Sequence, residues 1–184
     1  MRITGGEYRG RTFSPPKIDG FRPTMEKVRL AVFSMLNSQT DLSDFAILDC
    51  YSGSGAFGLE SISRGATHCT FIDKNPELLK FTKSVAEKLG ILQSTKFIKG
   101  SLPNELEKFD TEFDIIFADP PYDHSPGDFL AKLLKLKILK PSGILVFETL
   151  RSSKEAVAED WQLSLELVRD KSYGDTRIRI FLKK

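Results

Sequence analysis

Asp119-Pro120-Pro121-Tyr122 closes the run Phe113-Asp114-Ile115-Ile116-Phe117-Ala118, a short apolar stretch that reads as a buried strand. A carboxylate, two rigid prolines and an aromatic at the carboxyl end of a parallel strand stand where open α/β sheets hold their ligands. The chemistry that suits them is transfer to the exocyclic amine of a nucleobase. Such an amine is a weak nucleophile, because its lone pair is delocalised into the ring. The Asp119 carboxylate and the Pro120 carbonyl can each accept one of its N–H groups, which leaves the lone pair facing an electrophile. The prolines fix the backbone that carries the carbonyl, and Tyr122 offers a ring face for the base. A turn that only ends a strand uses the same Pro-Pro punctuation, so the tetrapeptide gains meaning from what lies upstream.

Upstream, Asp49-Cys50-Tyr51-Ser52-Gly53-Ser54-Gly55-Ala56-Phe57-Gly58 follows a first strand and leads into a helix. It contains a G-x-G-x-x-G, and Asp73 ends the next strand 20 residues after Gly53, the spacing of a dinucleotide site. Three points turn the reading away from a nicotinamide oxidoreductase. Asp49 stands four residues before Gly53, where it would repel a pyrophosphate but favour an ammonium and a sulfonium, as S-adenosylmethionine carries. The extra residues before the first glycine widen the turn for an amino-acid moiety. Hydride transfer also has no use for Asp-Pro-Pro-Tyr. The cofactor residues are therefore Asp49, Gly53, Gly55 and Asp73, the last accepting from ribose hydroxyls. Gly58 is expected to let helix and strand pack. Ser101, after Gly100, is the candidate adenine contact.

The elements needed to position these groups are legible. Phe45 to Cys50, Thr67 to Asp73, Thr95 to Ile98, Phe113 to Ala118 and Ile144 to Glu148 read as strands. Helices from about Ala56 to Arg64, from Pro76 to near Gly90 and around Phe129 to Leu136 fall between them. Asn75 before Pro76 is a helix start, and Pro141-Ser142-Gly143 reads as a turn. Trp161 to Val168 and Ile178 to Leu182 read as a closing antiparallel hairpin through Tyr173-Gly174-Asp175-Thr176. The expectation is an α/β fold, a Rossmann-like, mostly parallel sheet with one antiparallel strand. Ahead of it, residues 1 to 13 read as two short strands around Gly5-Gly6. Thr24 is the expected cap of a helix running to about Asn37.

At 184 residues the chain is expected to be one domain, with 1–23 a basic β-ribbon extension. No apolar stretch approaches the ~20 residues of a membrane span, and the amino terminus lacks the apolar core of a signal peptide. Cys50 and Cys69 read as free buried thiols of a reducing cytoplasm. With two cysteines and two histidines in no ligand spacing, no metal site is expected. Net charge is +2, but residues 1 to 30 hold seven basic side chains against three acidic ones, a local +4. Within that stretch Arg2, Arg9, Arg11 and Arg22 are the candidates for holding nucleic-acid phosphates.

Taken together, these residues resemble a class I S-adenosylmethionine-dependent methyltransferase, and within that superfamily the RsmD family of small-subunit ribosomal RNA guanine-N2 methyltransferases. The resemblance spans nearly the whole chain. It rests on Met1 through Arg11, Arg22-Pro23-Thr24, Asp49 through Gly58 continuing to Ser63-Arg64-Gly65-Ala66, Phe113 through Tyr122, and Tyr173-Gly174-Asp175-Thr176. It implies a seven-stranded methyltransferase fold and methylation of a guanine N2 amine in 16S ribosomal RNA within an assembled or assembling small subunit. It carries no metal, and a monomer is the default. Asp-Pro-Pro-Tyr alone is shared with N6-adenine enzymes acting on DNA or other RNA, which is the alternative substrate. A non-catalytic RNA-binding module on an enzyme fold is the third reading. Two positions depart from the family pattern: Asp73 stands where relatives often carry Glu, and Gly100-Ser101 replaces the acid that many such enzymes place on the adenine amine.

Overall fold

The computed structural model describes residues 1–21, 24–37, 42–121, 126–152 and 159–184. Seven strands form one sheet in the order β3-β2-β1-β4-β5-β7-β6. They are β1 (Ala46–Cys50), β2 (His68–Asp73), β3 (Thr95–Lys99), β4 (Phe113–Ala118), β5 (Leu139–Leu150), β6 (Leu165–Tyr173) and β7 (Thr176–Lys183). The first five pair in parallel, and β7 runs antiparallel to both β5 and β6. The fold is therefore the expected Rossmann-like one with a single antiparallel strand.

Among the described residues five α-helices accompany the sheet: α1 (Glu26–Asn37), α2 (Ala56–Ser63), α3 (Pro76–Leu89), α4 (Pro126–Leu136) and α5 (Glu159–Ser164). Apolar residues on both faces of the strands feed two cores. One joins Phe33, Phe57, Phe71 and Phe117, and the other joins Leu48, Ile116, Phe129 and Phe147. Central strands buried on both faces need continuous apolar runs rather than alternation, which is how β1, β2 and β4 read. α3 begins where Asn75 accepts from the Glu77 and Leu78 amides at 2.9 and 3.3 Å, with Pro76 at its first position. It ends on Gly90, whose φ of 72° is left-handed.

Three local expectations are corrected. Trp161 belongs to α5 rather than to a strand, and the hairpin strand starts only at Leu165. Pro141-Ser142-Gly143 is no break: β5 runs through it from Leu139, with Ser142 at φ 60° and the β4–β5 register shifted between Phe113 and Ile115. Residues 1 to 13 make one antiparallel bridge, Arg2 to Thr12, in place of two strands. The ribbon is short because its turn is tied elsewhere. The Glu7 amide donates to the Ser63 carbonyl (2.7 Å), the Tyr8 amide to Ser63 Oγ (3.0 Å), and that hydroxyl to the Gly5 carbonyl (2.6 Å). Gly6, at φ 75°, lies so close to the end of α2 that a Cβ would fall 1.6 Å from the Ser63 carbonyl oxygen. The amino-terminal segment is thus docked onto α2. No helix among the described residues is long and apolar enough to cross a membrane.

Candidate active site

The sheet order reverses between β1 and β4, and ligands of open α/β sheets bind at such a switch point, beyond the carboxyl ends of the strands. A cleft of about 910 Å³ opens there. One end is walled by Gly53, Asp73, Asn75, Leu78, Gly100, Ser101 and Leu102, and the other by Asp119, Pro120, Pro121 and Glu148. Ile18 to Phe21 and the turn Gly174 to Thr176 complete its rim.

The loop after β1 is held by two carboxylates. Asp73 accepts from the Gly53 amide through Oδ2 at 2.7 Å and from the Asn75 amide through Oδ1 at 2.8 Å. Each oxygen keeps a second lone pair, and the group lines the cleft. Asp49, 3% exposed, accepts from the Gly58 amide at 2.9 Å and braces the first turn of α2 from behind the loop. Burial pushes its carboxyl well above the usual range, with the Gly58 bond opposing and the Asp73 and Asp119 charges adding. Asp49 and Gly55 lie off the cleft wall, whereas Gly53, Asp73 and Ser101 line it. Gly53, at φ 51°, is covered by the Phe21 ring, and a Cβ there would meet Phe21 Cε2 at 2.8 Å.

At the other end Asp119 follows β4, which is paired with β1 through Ala118 and Cys50. Pro120 is buried, and both residues line the cleft. Burial pushes the Asp119 carboxyl up to about 6. Glu148 ends the apolar part of β5 and faces the same space. Burial first, then the Asp119 charge, pushes its carboxyl up to about 8. Tyr122 and Arg22 lie outside the described residues, as does His124. Arg2, Arg9 and Arg11 are exposed on the docked amino-terminal segment and do not line the cleft. Among the described residues no three metal-binding side chains cluster.

Sequence reasoning left out Glu148, Tyr51, Phe21 and the Gly174–Thr176 turn as cleft walls. Glu148 had a signal, an acid ending an apolar strand at the same edge as Asp119. Phe21 had none, since only the docking of the amino-terminal segment brings it across Gly53.

The family model described as Conserved hypothetical protein 95 matches residues 1–182. The chain belongs to that family. Its relatives include the Ribosomal RNA small subunit methyltransferase D of Escherichia coli K12, 28% identical over all of this chain and 90% of that one. The protein of the same name in Buchnera aphidicola (Baizongia pistaciae) is 30% identical over 80% of this chain and 75% of its own. Among solved structures, a hypothetical protein of Thermus thermophilus superposes with a TM-score of 0.79, 24% identity and 98% coverage of both chains. An RNA methyltransferase of Salinibacter ruber in complex with S-adenosyl-L-homocysteine superposes with a TM-score of 0.62, 16% identity and coverage of 88% and 94%. The protein is a methyltransferase of the RsmD family, and the methyl donor its sequence calls for is S-adenosylmethionine. The cleft fits that group: Asp73 has free lone pairs for a ribose diol, Leu78 and Leu102 supply apolar walls, and the Gly53 backbone lies at the surface.

Asp119 and Glu148 are both buried in the cleft at a cost to their ionised forms. Their carboxyls are raised by folding, so the folded chain holds protons that the unfolded chain releases. Stability is then lost as pH rises from the ordinary carboxylate range through about 6 and about 8. Glu148→Gln removes the second share. Its Tm should match the parent's near pH 4.5 and exceed it increasingly up to pH 8, at about 2–4 °C per kcal/mol for a chain of this size. Thermal melts across that range test this, and a gain independent of pH would refute it.

Proposed function

We propose that this methyltransferase modifies the exocyclic N2 amine of a guanine in small-subunit (16S) ribosomal RNA. The observation that carries the reading is the pairing, in one cleft, of Asp119 and Pro120 with the cofactor wall formed by Gly53, Asp73 and Ser101. The cofactor supplies a methyl group already activated on a sulfonium, so the work left to the chain is positioning. Asp119 accepts one N–H of the amine and the Pro120 carbonyl the other, which turns the nitrogen lone pair toward the cofactor wall. Tyr122, two residues after Pro120, is proposed to stack on a base turned out of its loop, and unpaired bases cost least to extrude. Asp119 need not be a strong base, since the amine loses its proton readily once alkylated. Asp73 holds the ribose hydroxyls and Ser101 approaches the adenine. Asp49 and Gly55 keep the loop in shape behind Gly53.

The names of the relatives support the ribosomal substrate, and the exposed Arg2, Arg9 and Arg11 support a phosphate-binding face; Arg22, outside the described residues, is proposed as a fourth phosphate contact from the sequence alone. Methyl transfer to purified small ribosomal subunits, with the product mapped by mass spectrometry, tests the reading. N2-methylguanine at one position is the expected product. Activity confined to duplex DNA, or N6-methyladenine as product, would overturn it.

Replacing Arg9 and Arg11 together by Ala should weaken RNA binding and flatten its salt dependence by about one unit of slope for each phosphate no longer held. S-adenosylhomocysteine affinity should be unchanged, because neither residue reaches the cleft. Filter binding across a salt series alongside calorimetry provides the check.

A further inference from the structure

Glu148 takes no part in the chemistry proposed for Asp119 and Pro120, yet it stands beside Asp119. β4 and β5 pair in parallel with Ala118 opposite Phe147, so Asp119 and Glu148 leave adjacent strands side by side, about 4.8 Å apart. Glu148 is 7% exposed and lines the cleft. Its Oε2 has no hydrogen-bond partner among the described residues. The carboxyl is held by a hydrogen bond with Thr176 at the start of β7, and Thr176 lines the cleft too. A buried carboxyl oxygen left unsatisfied is costly. A site that tolerates one, aimed into a ligand cleft, is shaped for a donor that arrives with the ligand.

We propose that Glu148 selects guanine, its carboxyl oxygen accepting the N1–H of the base whose N2 amine is held by Asp119 and Pro120. This rests on the guanine-N2 reading and deepens it. Asp119 and Pro120 respond only to the two N–H groups of an amine, which adenine and cytosine also present. Along the guanine edge the amine is followed by a donor, N1–H, and then an acceptor, O6. An adenine that enters amine first puts the N1 lone pair in the donor's place, followed by a C–H. An ionised Glu148 repels that lone pair. A neutral Glu148 can donate to it, but adenine then offers the carboxyl only a C–H where guanine offers a second hydrogen bond. Guanine gives an ionised Glu148 a donor, and gives a neutral one a donor for its C=O and an acceptor for its O–H. It is the better partner in both states. Thr176 is a positioning residue that fixes the carboxyl for this contact.

The test uses small ribosomal subunits reassembled around 16S RNA carrying guanine or 2-aminopurine at the nucleotide that the unsubstituted enzyme methylates. 2-Aminopurine keeps the N2 amine but has neither N1–H nor O6. The unsubstituted enzyme should prefer guanine by roughly 10- to 100-fold in kcat/KM. Glu148→Ala should lower the guanine rate and bring the preference to within about threefold. Glu148→Gln, which keeps an acceptor and a donor, should restore most of it. Binding of S-adenosylhomocysteine reports that each variant is folded. An unaltered preference in Glu148→Ala overturns the assignment and leaves the guanine-N2 reading standing. Failure of the unsubstituted enzyme to methylate any guanine overturns both. If Glu148→Ala does not fold, Thr176→Val should reduce the preference several-fold, and no change there overturns the assignment.

Discussion

Asp119→Ala should lower kcat by roughly 10²- to 10³-fold while S-adenosylhomocysteine binding changes little. The cofactor wall is built from residues after β1, β2 and β3, and the hydrogen bonds that hold it run from Asp73 to Gly53 and Asn75 rather than to Asp119. Removing the Asp119 carboxylate therefore leaves that wall intact and frees the amine to rotate, so that its lone pair is delocalised again. Asp119→Asn should be milder, since one carbonyl acceptor remains. The pH profile gives a second reading of the same group. With the Asp119 carboxyl pushed up to about 6, the accepting carboxylate is lost as pH falls through that value. kcat/KM should then drop about tenfold per unit below it. Steady-state rates between pH 5 and 8 decide the matter. A rate independent of pH in that range, together with an active Asp119→Ala, would remove Asp119 from the reaction.

Much of this site is readable in the sequence because its residues sit at the ends of strongly patterned elements. The β4 run is apolar almost throughout and is followed at once by Asp119-Pro120, so their position at the cleft follows from local sequence. Asp73 is readable for the same reason at the end of β2. What escapes is decided by contacts across the chain. Trp161, Leu163, Leu165 and Leu167 alternate as a strand does. Yet Trp161 is buried in the core beside α4 while Leu163 is 78% exposed, as a helical turn followed by a strand requires. The Pro141-Ser142-Gly143 segment has turn chemistry, but pairing of Leu139 with Phe113 on one side and of Ile144 with Ile115 on the other carries β5 through it. The direct cofactor contact expected of Asp49 met a subtler geometry. The carboxylate is at the expected strand end, but it is off the cleft wall, and the Gly58 amide donates to it from α2.

The least legible feature is the buried cluster under the amino-terminal segment, and Glu60→Ala should cost about 3–5 kcal/mol there. Glu60 is fully buried on α2, with no exposed surface at all. Its Oε2 accepts from the Thr4 amide at 2.8 Å and from Arg29 Nε at 3.3 Å, and its Oε1 from Thr4 Oγ1 at 2.7 Å and from Arg64 Nε at 2.9 Å. Arg29, itself 2% exposed, also donates to the Arg2 carbonyl, and Arg64 lies over the Phe33 ring at 4.8 Å. Burial lowers the Arg29 guanidinium from its ordinary value, and Glu60 is the first charge that opposes this. Deleting the carboxylate leaves two guanidinium groups without their shared anion and Thr4 without an acceptor. The segment bearing Arg2, Arg9 and Arg11 should undock first, since Thr4 is its link to Glu60. The variant is therefore expected to lose roughly 6–20 °C in Tm. It should also become sensitive to proteolysis within its first 20 or so residues and bind RNA less tightly. Cofactor affinity should fall much less, because only the cover that Phe21 places on Gly53 is loosened. Limited proteolysis with mass mapping, run beside melting curves, separates this from general unfolding. Cleavage spread evenly along the chain, or a Tm equal to the parent's, would show that the cluster does not hold the segment down.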